Sequence, residues 1–556
     1  MERIVLLIIA LVILLCFAVI GAVQNHRMKK YVRHILRQSY GKANKRVYDD
    51  GEYVHMRGYA NNHLTGDELD DITWNDLDMD AVFARMNYSL SSAGDEYLYY
   101  LLRNPSNQDM SMSVSEDKIR YYMEHEEERL LLQEALYDCG RTGKYSVYDY
   151  LNNLDNLAGQ NSRSDLLILL LYVIAIAVMC INLEAGILAI CLMLFVGGFT
   201  YFAKKRRIEP YIVSIKYVFR VLRGAKRIAA LSDEIIAEER AELMKLTKNM
   251  KSFERFSGFI MVGSNSANIL DVLFEYMRLF LHLDIIKFFQ MVGQIKTHWD
   301  DIDKMLTIIG RIDTMVTIGG YRMRLGEYCT PEFNDGNNTI SGTDVYHPLL
   351  ETPVSNDVKL SRGIILTGSN ASGKSTFLKT IAVNAILAQC INTVCAKSYS
   401  APHYRVYTSL ALQDSIFAGE SYYMTEIKSL KRILDAGTDD ATPILACVDE
   451  VLRGTNTIER ISASSVILEQ LSTVHGIILA ATHDLELADM LREKYDNYHF
   501  SETIEGDDIS FSYKLHSGKA TTRNAIKLLE IMGYDSAITS KANEVAARYE
   551  KTGSFV

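Results

Sequence analysis

The chain has no excess of positive charge. Its 59 Lys and Arg stand against 69 Asp and Glu, giving a net charge of −10. A protein that wraps nucleic acid normally carries a basic stripe, and none dominates this sequence, so any nucleic-acid contact would rest on a local patch. Cysteine is equally uninformative as a framework. The eight residues are scattered, with no Cys-x-x-Cys and no Cys/His ligand spacing. That usage excludes a disulfide scaffold and a zinc site and fits reduced thiols. Proline is missing from Tyr211 to Thr317 and glycine is sparse there. With apolar residues at helical spacing, this stretch predicts long helices.

What is present begins with apolar runs. Hydrophobic residues make up 48% of the 556 positions, enough for sizeable cores in more than one domain. Ile4 to Val23 is unbroken by charge and has the length of a membrane-spanning helix. A cleaved signal peptide carries its positive charge before the run. Here Arg3 is offset by Glu2, whereas Arg27, Lys29, Lys30, Arg33 and Arg37 follow. The positive-inside rule then predicts an anchor with its N-terminus outside. A second block, Leu166 to Ala203, is interrupted only at Asn182-Leu183-Glu184 and closed by Lys204-Lys205-Arg206-Arg207. It predicts a tight helical hairpin with its turn outside and a slightly short first arm. The expectation is a multi-pass protein of the cell membrane, with three spans in contact with the lipid bilayer and the remainder cytoplasmic.

The chemistry lies further on. Residues 368–375 read Gly-Ser-Asn-Ala-Ser-Gly-Lys-Ser, a complete Walker A loop. It follows the strand-like run Gly363-Ile364-Ile365-Leu366-Thr367 and opens into a helix-like stretch from Thr376 to Gln389. In that context backbone N–H groups surround a phosphate and the helix N-terminus adds partial positive charge. The expected nucleotide contacts are Gly368, Ser369, Asn370, Ala371, Ser372, Gly373, Lys374, Ser375 and Thr376. Lys374 would bridge the β- and γ-phosphates of ATP, and Ser375 would ligate Mg2+. A second buried strand, Pro443 to Val448, ends in Asp449-Glu450. Asp449 would hold the metal through its water shell and Glu450 would polarise the attacking water. A third strand, Gly476 to Ala481, ends in Thr482-His483-Asp484, and a histidine there lies on the ligand edge of an α/β sheet. His483 is therefore a candidate γ-phosphate contact.

Taken together, Thr367–Thr376, Gly419-Glu420-Ser421-Tyr422-Tyr423-Met424-Thr425-Glu426, Asp449–Asn456 and Ala481–Leu487 resemble the ATPase domain of MutS-type mismatch-repair proteins. The resemblance implies an ABC-like P-loop α/β ATPase joined to an all-α core and lever. It also implies a homodimer with composite sites, in which Ser421 reaches the γ-phosphate bound by the other subunit and Arg453-Gly454-Thr455-Asn456 lies at that boundary. Departures mark a divergent branch. Ser369, Ala371 and Ser372 stand where the family runs Pro, Met and Gly, Tyr422-Tyr423 replaces Thr-Phe, and Thr522 to Leu528 differs from the family's C-terminal pattern. A weaker resemblance covers residues 71–105, which look like the start of the MutS core. Ile312-Asp313-Thr314 and Tyr328–Phe333 are similar to the junction of lever and ATPase. The charged stretch Asp233 to Arg255 reads as a solvated helix face.

The family's mismatch reader uses a Phe-x-Glu wedge. The only such triplet here, Phe500-Ser501-Glu502, falls after the ATPase motifs, so mismatch recognition is not expected. The Leu-Ser-Gly-Gly-Gln signature of solute-pumping cassettes is also missing. The expected organisation is an anchor (1–23), a juxtamembrane segment (24–70), a first part of the helical core (71–164), a hairpin (165–203), the remaining core and lever (204–340) and the ATPase domain (341–556). Two functions fit: a membrane-held MutS-like ATPase coupled to DNA, or a mechanochemical ATPase acting on a protein or envelope partner.

Overall fold

A computed structural model describes the chain apart from residues 1, 44–45, 67, 106–113, 143–146, 153–162, 255–278, 370–371, 411–421, 439–441, 454, 506–507, 521–524 and 553–556. Its contacts divide into two compact units. The first comprises Met1–Leu64, Ala84–Tyr100 and Ser115–Arg324; the second comprises Thr65–Phe83, Leu101–Val114 and Leu325–Val556.

Among its described residues, the first unit is helical. Helix α1 (Glu2–Ser39) leads into it, followed by α2 (Ser92–Arg103), whose residues from Leu101 on belong to the second unit, and α3 (Glu126–Cys139). Next come α4 (Arg163–Ile181), α5 (Leu183–Ala229), α6 (Leu283–Thr297) and α7 (Trp299–Leu325). Helix α7 is the spine. Ile302, Met305, Ile309, Ile312, Met315 and Ile318 recur at helical spacing and are buried. The end of α1 docks on α3 through Arg33 to Glu134 (3.0 Å) and Arg37 to Glu126 (2.6 Å), with the Arg129 guanidinium 3.9 Å from the Tyr40 ring centroid. The two ion pairs are partly exposed and contribute about 0–1 kcal/mol each. Burial of Leu36 and Tyr40 holds this contact more firmly.

The two weakly family-like segments of this unit meet. Asp313 on α7 accepts hydrogen bonds from Ser91 N (2.9 Å), Ser91 Oγ (2.6 Å) and Leu90 N (3.0 Å) at the start of α2, 222 residues away in sequence. The stretch from Asp233 departs from a fully solvated face. Its helix Ala237–Asn249 is largely exposed, but Glu239 is buried between Lys118 and Arg311, and Asp233 is buried under Tyr122 Oη (2.7 Å). Charged side chains inside a helical body persist only when paired in this way.

Helices α4 and α5 form a hairpin that breaks at Asn182, whose side chain caps α5 by accepting from Ala185 N (3.1 Å). Arg163–Ile181 and Leu183–Glu209 are long and apolar enough to cross a membrane. Much of their apolar surface faces outward, with Leu188 73%, Phe195 76% and Phe199 73% exposed. At the base, Asp165 accepts from Lys204 Nζ (2.8 Å) and His282 Nδ1 (2.7 Å), while His282 Nε2 donates to Gly197 O (2.8 Å). Helix α5 runs without a break from the hairpin into the body, 47 residues in all, about 70 Å at the helical rise. The described residues supply two such spans where the sequence suggests three. Ile4 to Val23 does lie on a continuous helix, α1, but the side chains of residues 1–18 fall outside the described part.

The second unit is built on two sheets. The smaller has strand order β1-β5-β2-β3, with β1 (Glu332–Phe333), β2 (Ile340–Val345), β3 (Asn356–Leu360) and β5 (Ser398–Ala401). The larger runs β10-β9-β4-β8-β7-β6, with β4 (Ile364–Thr367), β6 (Arg405–Ser409), β7 (Ile444–Asp449), β8 (Gly476–Ala481), β9 (Asp496–Glu505) and β10 (Asp508–Ser517). All neighbours in it are parallel except β9 and β10. Its central strands β4, β7 and β8 are apolar along almost their whole length and buried on both faces, as parallel strands covered by helices must be. The covering helices include α8 (Lys374–Ile391), α9 (Tyr422–Ala436) and α10 (Thr457–Leu471).

An early segment belongs to this unit, contrary to the grouping of 71–164 with the helical core. Asp76, at the end of the short helix Asp71–Asp76, accepts from Thr408 Oγ1 (2.7 Å) on β6 and from Leu410 N (2.8 Å) just after it. Asp78 pairs with Lys379 on α8 (2.6 Å), and the fully buried Trp74 lies under Arg103 at 4.0 Å. These side chains, with the packing around them, attach Thr65–Phe83 to the second unit. The segment Leu325 to Ile340 joins it as well, since β1 pairs with β5.

Candidate nucleotide site

Register places the motifs on one edge. Leu366 on β4 lies opposite Ala481 on β8, which in turn lies opposite Asp449 on β7. The residues that follow these strands therefore emerge side by side at the carboxyl end of the sheet, where ligands bind in open α/β folds. The loop after β4 folds on itself, with Ser372 Oγ donating to Ser369 O (2.8 Å). Gly373, at φ +105°, turns the chain into α8, and a β-carbon there would sit 3.1 Å from the Tyr513 ring. A side chain would be strained by both conformation and space.

Lys374 opens α8 and bends back over the loop, its Nζ donating to Gly368 O and Ser369 O, each at 2.8 Å. Burial lowers its pKa, and Asp449, Glu450 and Glu502 oppose that shift. Ser369, where the family usually has proline, donates to Glu502 Oε2 (3.2 Å). Ser375 Oγ donates to Asp449 Oδ2. A hydroxyl and a carboxylate in contact at the mouth of such a loop are the hard oxygen donors that Mg2+ takes. Burial raises the Asp449 carboxyl above its ordinary range, and the Ser375 hydrogen bond counters this.

Glu450 occupies an unusual backbone position. Its φ is +57°, and Leu452 follows at +59°. For residues with a β-carbon each such conformation costs about 1–3 kcal/mol and persists only where neighbours enforce it. The enforcing contacts are Glu450 N to Ala481 O (2.9 Å) and Ser464 Oγ to Val451 O (3.0 Å), with burial of Val451 and Leu452 in the apolar core. The turn thereby aims the Glu450 carboxylate at His483, whose Nε2 lies 2.9 Å from Oε1, while Arg453 Nε lies 2.9 Å from Oε2. The hydrogen bond from His483 holds Glu450 below its usual pKa range, so it is ionised at neutral pH. His483 Nε2 also lies 3.4 Å from Lys374 Nζ.

Lys374, Ser375, Asp449, Glu450 and His483 are thus gathered at one edge, with Gly368, Ser369, Ser372 and Gly373 shaping the loop and Thr376 on the first turn of α8. Asn370, Ala371, Ser421 and Gly454 lie outside the described residues. The motifs did not reveal an adjoining pocket of about 350 Å³, lined by His347, Val354, Asn356, Phe377, Phe500 and Tyr513 among others, which reaches Gly373 and Thr376. Its residues come from well-separated segments, so no local motif signals it. Asn356 fixes β10 there, its Nδ2 donating to Tyr513 O (3.0 Å) and its Oδ1 accepting from Leu515 N (2.8 Å).

This arrangement defines a P-loop nucleotide-binding domain of the α/β class. Residues 364–550 match the family model of MutS domain V. Full-length comparison extends the likeness. The chain is 28% identical to MutS protein homolog 4 of Mus musculus over 364 residues, 61% of this chain and 36% of that protein. It is 29% identical to DNA mismatch repair protein MutS of Thermotoga petrophila over 267 residues, 46% and 33% of the two chains. It is 31% identical to the protein of the same name from Natronomonas pharaonis over 230 residues, 39% and 26%. The match places residues 364–550 with MutS domain V, and the chain spans about a third of the length of the curated relatives it matches.

Proposed function

We propose that the protein is a membrane-anchored ATPase that hydrolyses ATP with Mg2+ at this sheet edge. The observation that carries the reading is the convergence of Lys374, Ser375–Asp449 and Glu450–His483 from three adjacent parallel strands. Ser375 and Asp449 would hold the metal, which would neutralise charge on the phosphates. Lys374 would turn its ammonium from the loop carbonyls to the phosphates, and the pocket beside Gly373 would receive the base. Glu450, kept ionised, would orient the attacking water, and His483 would report the γ-phosphate.

Ser421 would act in trans within a homodimer, as the family resemblance implies. Mixed dimers test this. Lys374→Ala and Ser421→Ala subunits, each inactive alone, should regain one complete site when combined. Absence of recovery in verified mixed dimers would rule out action in trans.

Membrane attachment rests on the two apolar helices and their outward-facing side chains. The relatives' names point to DNA as the coupled partner, whereas the acidic balance of the chain favours a protein or envelope partner. ATPase rate with homoduplex, mismatched and branched DNA across a salt series separates the two. Stimulation that weakens steeply with salt supports DNA; indifference to every DNA supports the other partner.

A further inference from the structure

One buried carboxylate next to the site has no part in the chemistry above. Glu426 sits on the second turn of α9 and is 3% exposed. Its Oε1 accepts from the backbone N–H of Leu452 and, at 3.4 Å, of Arg453. Those amides belong to the turn that carries Glu450 and holds two non-glycine residues at positive φ. Oε2 is buried with no hydrogen-bond partner among the described residues. A carboxylate held in this way, with one oxygen left unmatched, costs stability.

The other fastenings of the turn are a backbone pair to β8 and the Ser464 hydroxyl on α10. Glu426 is the fastening that comes from α9, whose first residue directly follows the Ser421 segment in sequence.

We propose that Glu426 is a positioning residue for the hydrolysis reaction: by clamping the Leu452 and Arg453 amides from α9, it fixes the turn that aims Glu450. The proposal rests on the ATPase reading above. It predicts that Glu426 acts on turnover and leaves nucleotide binding alone, because the loop, Lys374 and the pocket are untouched.

The test uses the full-length protein in lipid nanodiscs, with ATP turnover, nucleotide affinity and melting temperature measured for three variants. Glu426→Ala should lower kcat by about 10- to 100-fold, the scale of a misplaced reacting group, with nucleotide Kd and melting close to wild type. Glu426→Gln keeps a carbonyl oxygen for the two amides and should retain most of the rate. Glu426→Asp withdraws the acceptor by one methylene and should behave like Glu426→Ala; it decides the matter if the alanine variant does not fold. A wild-type kcat in Glu426→Ala, or in Glu426→Asp where that variant decides, would overturn the proposal. So would parallel loss of rate, affinity and melting in every variant, which marks a merely structural residue. Turnover missing from the wild type would instead sink the ATPase reading itself.

Discussion

At the scale of single residues, the site combines groups whose environments push them in opposite directions. Burial raises Asp449, and the His483 hydrogen bond lowers Glu450. Replacing Glu450 with Gln keeps the shape and removes the charge. Turnover should fall by about 10²- to 10⁴-fold while ATP still binds, as a filter-binding or fluorescence titration would show. A second residue prediction concerns Asp313 in the helical unit. Burial pushes its pKa from 3.8 up to about 6, opposed by its hydrogen bonds from Ser91 and Leu90. A carboxyl raised on folding keeps its proton longer in the native state. Its favourable contribution is therefore complete below the unfolded pKa and is lost as pH rises through about 6, a change of about 1–3 kcal/mol. Asp313→Asn should flatten that part of the melting-temperature profile; an unchanged profile would refute the assignment. Lys374, Ser375, Asp449, Glu450 and His483 were legible because each ends or follows a short apolar strand in a local motif. The pocket residues Asn356 and Tyr513 and the clamp by Glu426 were not, because tertiary packing alone brings them to the site.

At the scale of elements, close backbone approach sets the tolerance of the helical unit. A β-carbon on Gly310 of α7 would lie 2.6 Å from Ala93 O and 2.7 Å from Tyr97 Cβ on α2. Gly310→Ala should push these helices apart and cost about 1–3 kcal/mol. Gly293 on α6 has nothing within 4 Å of that position, so Gly293→Ala should be neutral or stabilising by about 0.5–1 kcal/mol. Thermal melts of the two variants provide a direct comparison, and equal destabilisation would contradict the packing described. Helical periodicity made α7 readable in advance, and the apolar block with its Asn182 break made the hairpin readable. The attachment of Thr65–Phe83 to the second unit was hidden, since it depends on Asp76 and Asp78 meeting partners more than 300 residues later. Hydrophobic patterning records that a segment is helical and says little about which core receives it.

At the scale of the whole molecule, the proposed arrangement is an ATPase tied to a bilayer. If α4 and α5 span it, a cysteine placed at Glu184 in the hairpin turn should react with a membrane-impermeant maleimide from outside intact cells, and one at Arg207 should not. Labelling at both positions, or at Arg207 alone, would contradict the topology. Charge asymmetry and the apolar runs are what suggest this arrangement in the sequence, whereas a partner is recognised by a surface and leaves no linear signature. The central claim is that this sheet edge hydrolyses ATP, and the most direct test is the Mg2+-dependent turnover of the full-length protein in nanodiscs beside its Glu450→Gln variant. The account predicts steady turnover in the wild type and its loss in the variant with nucleotide binding retained. Equal rates in the two, or no turnover in a wild type that binds ATP and Mg2+, would contradict it.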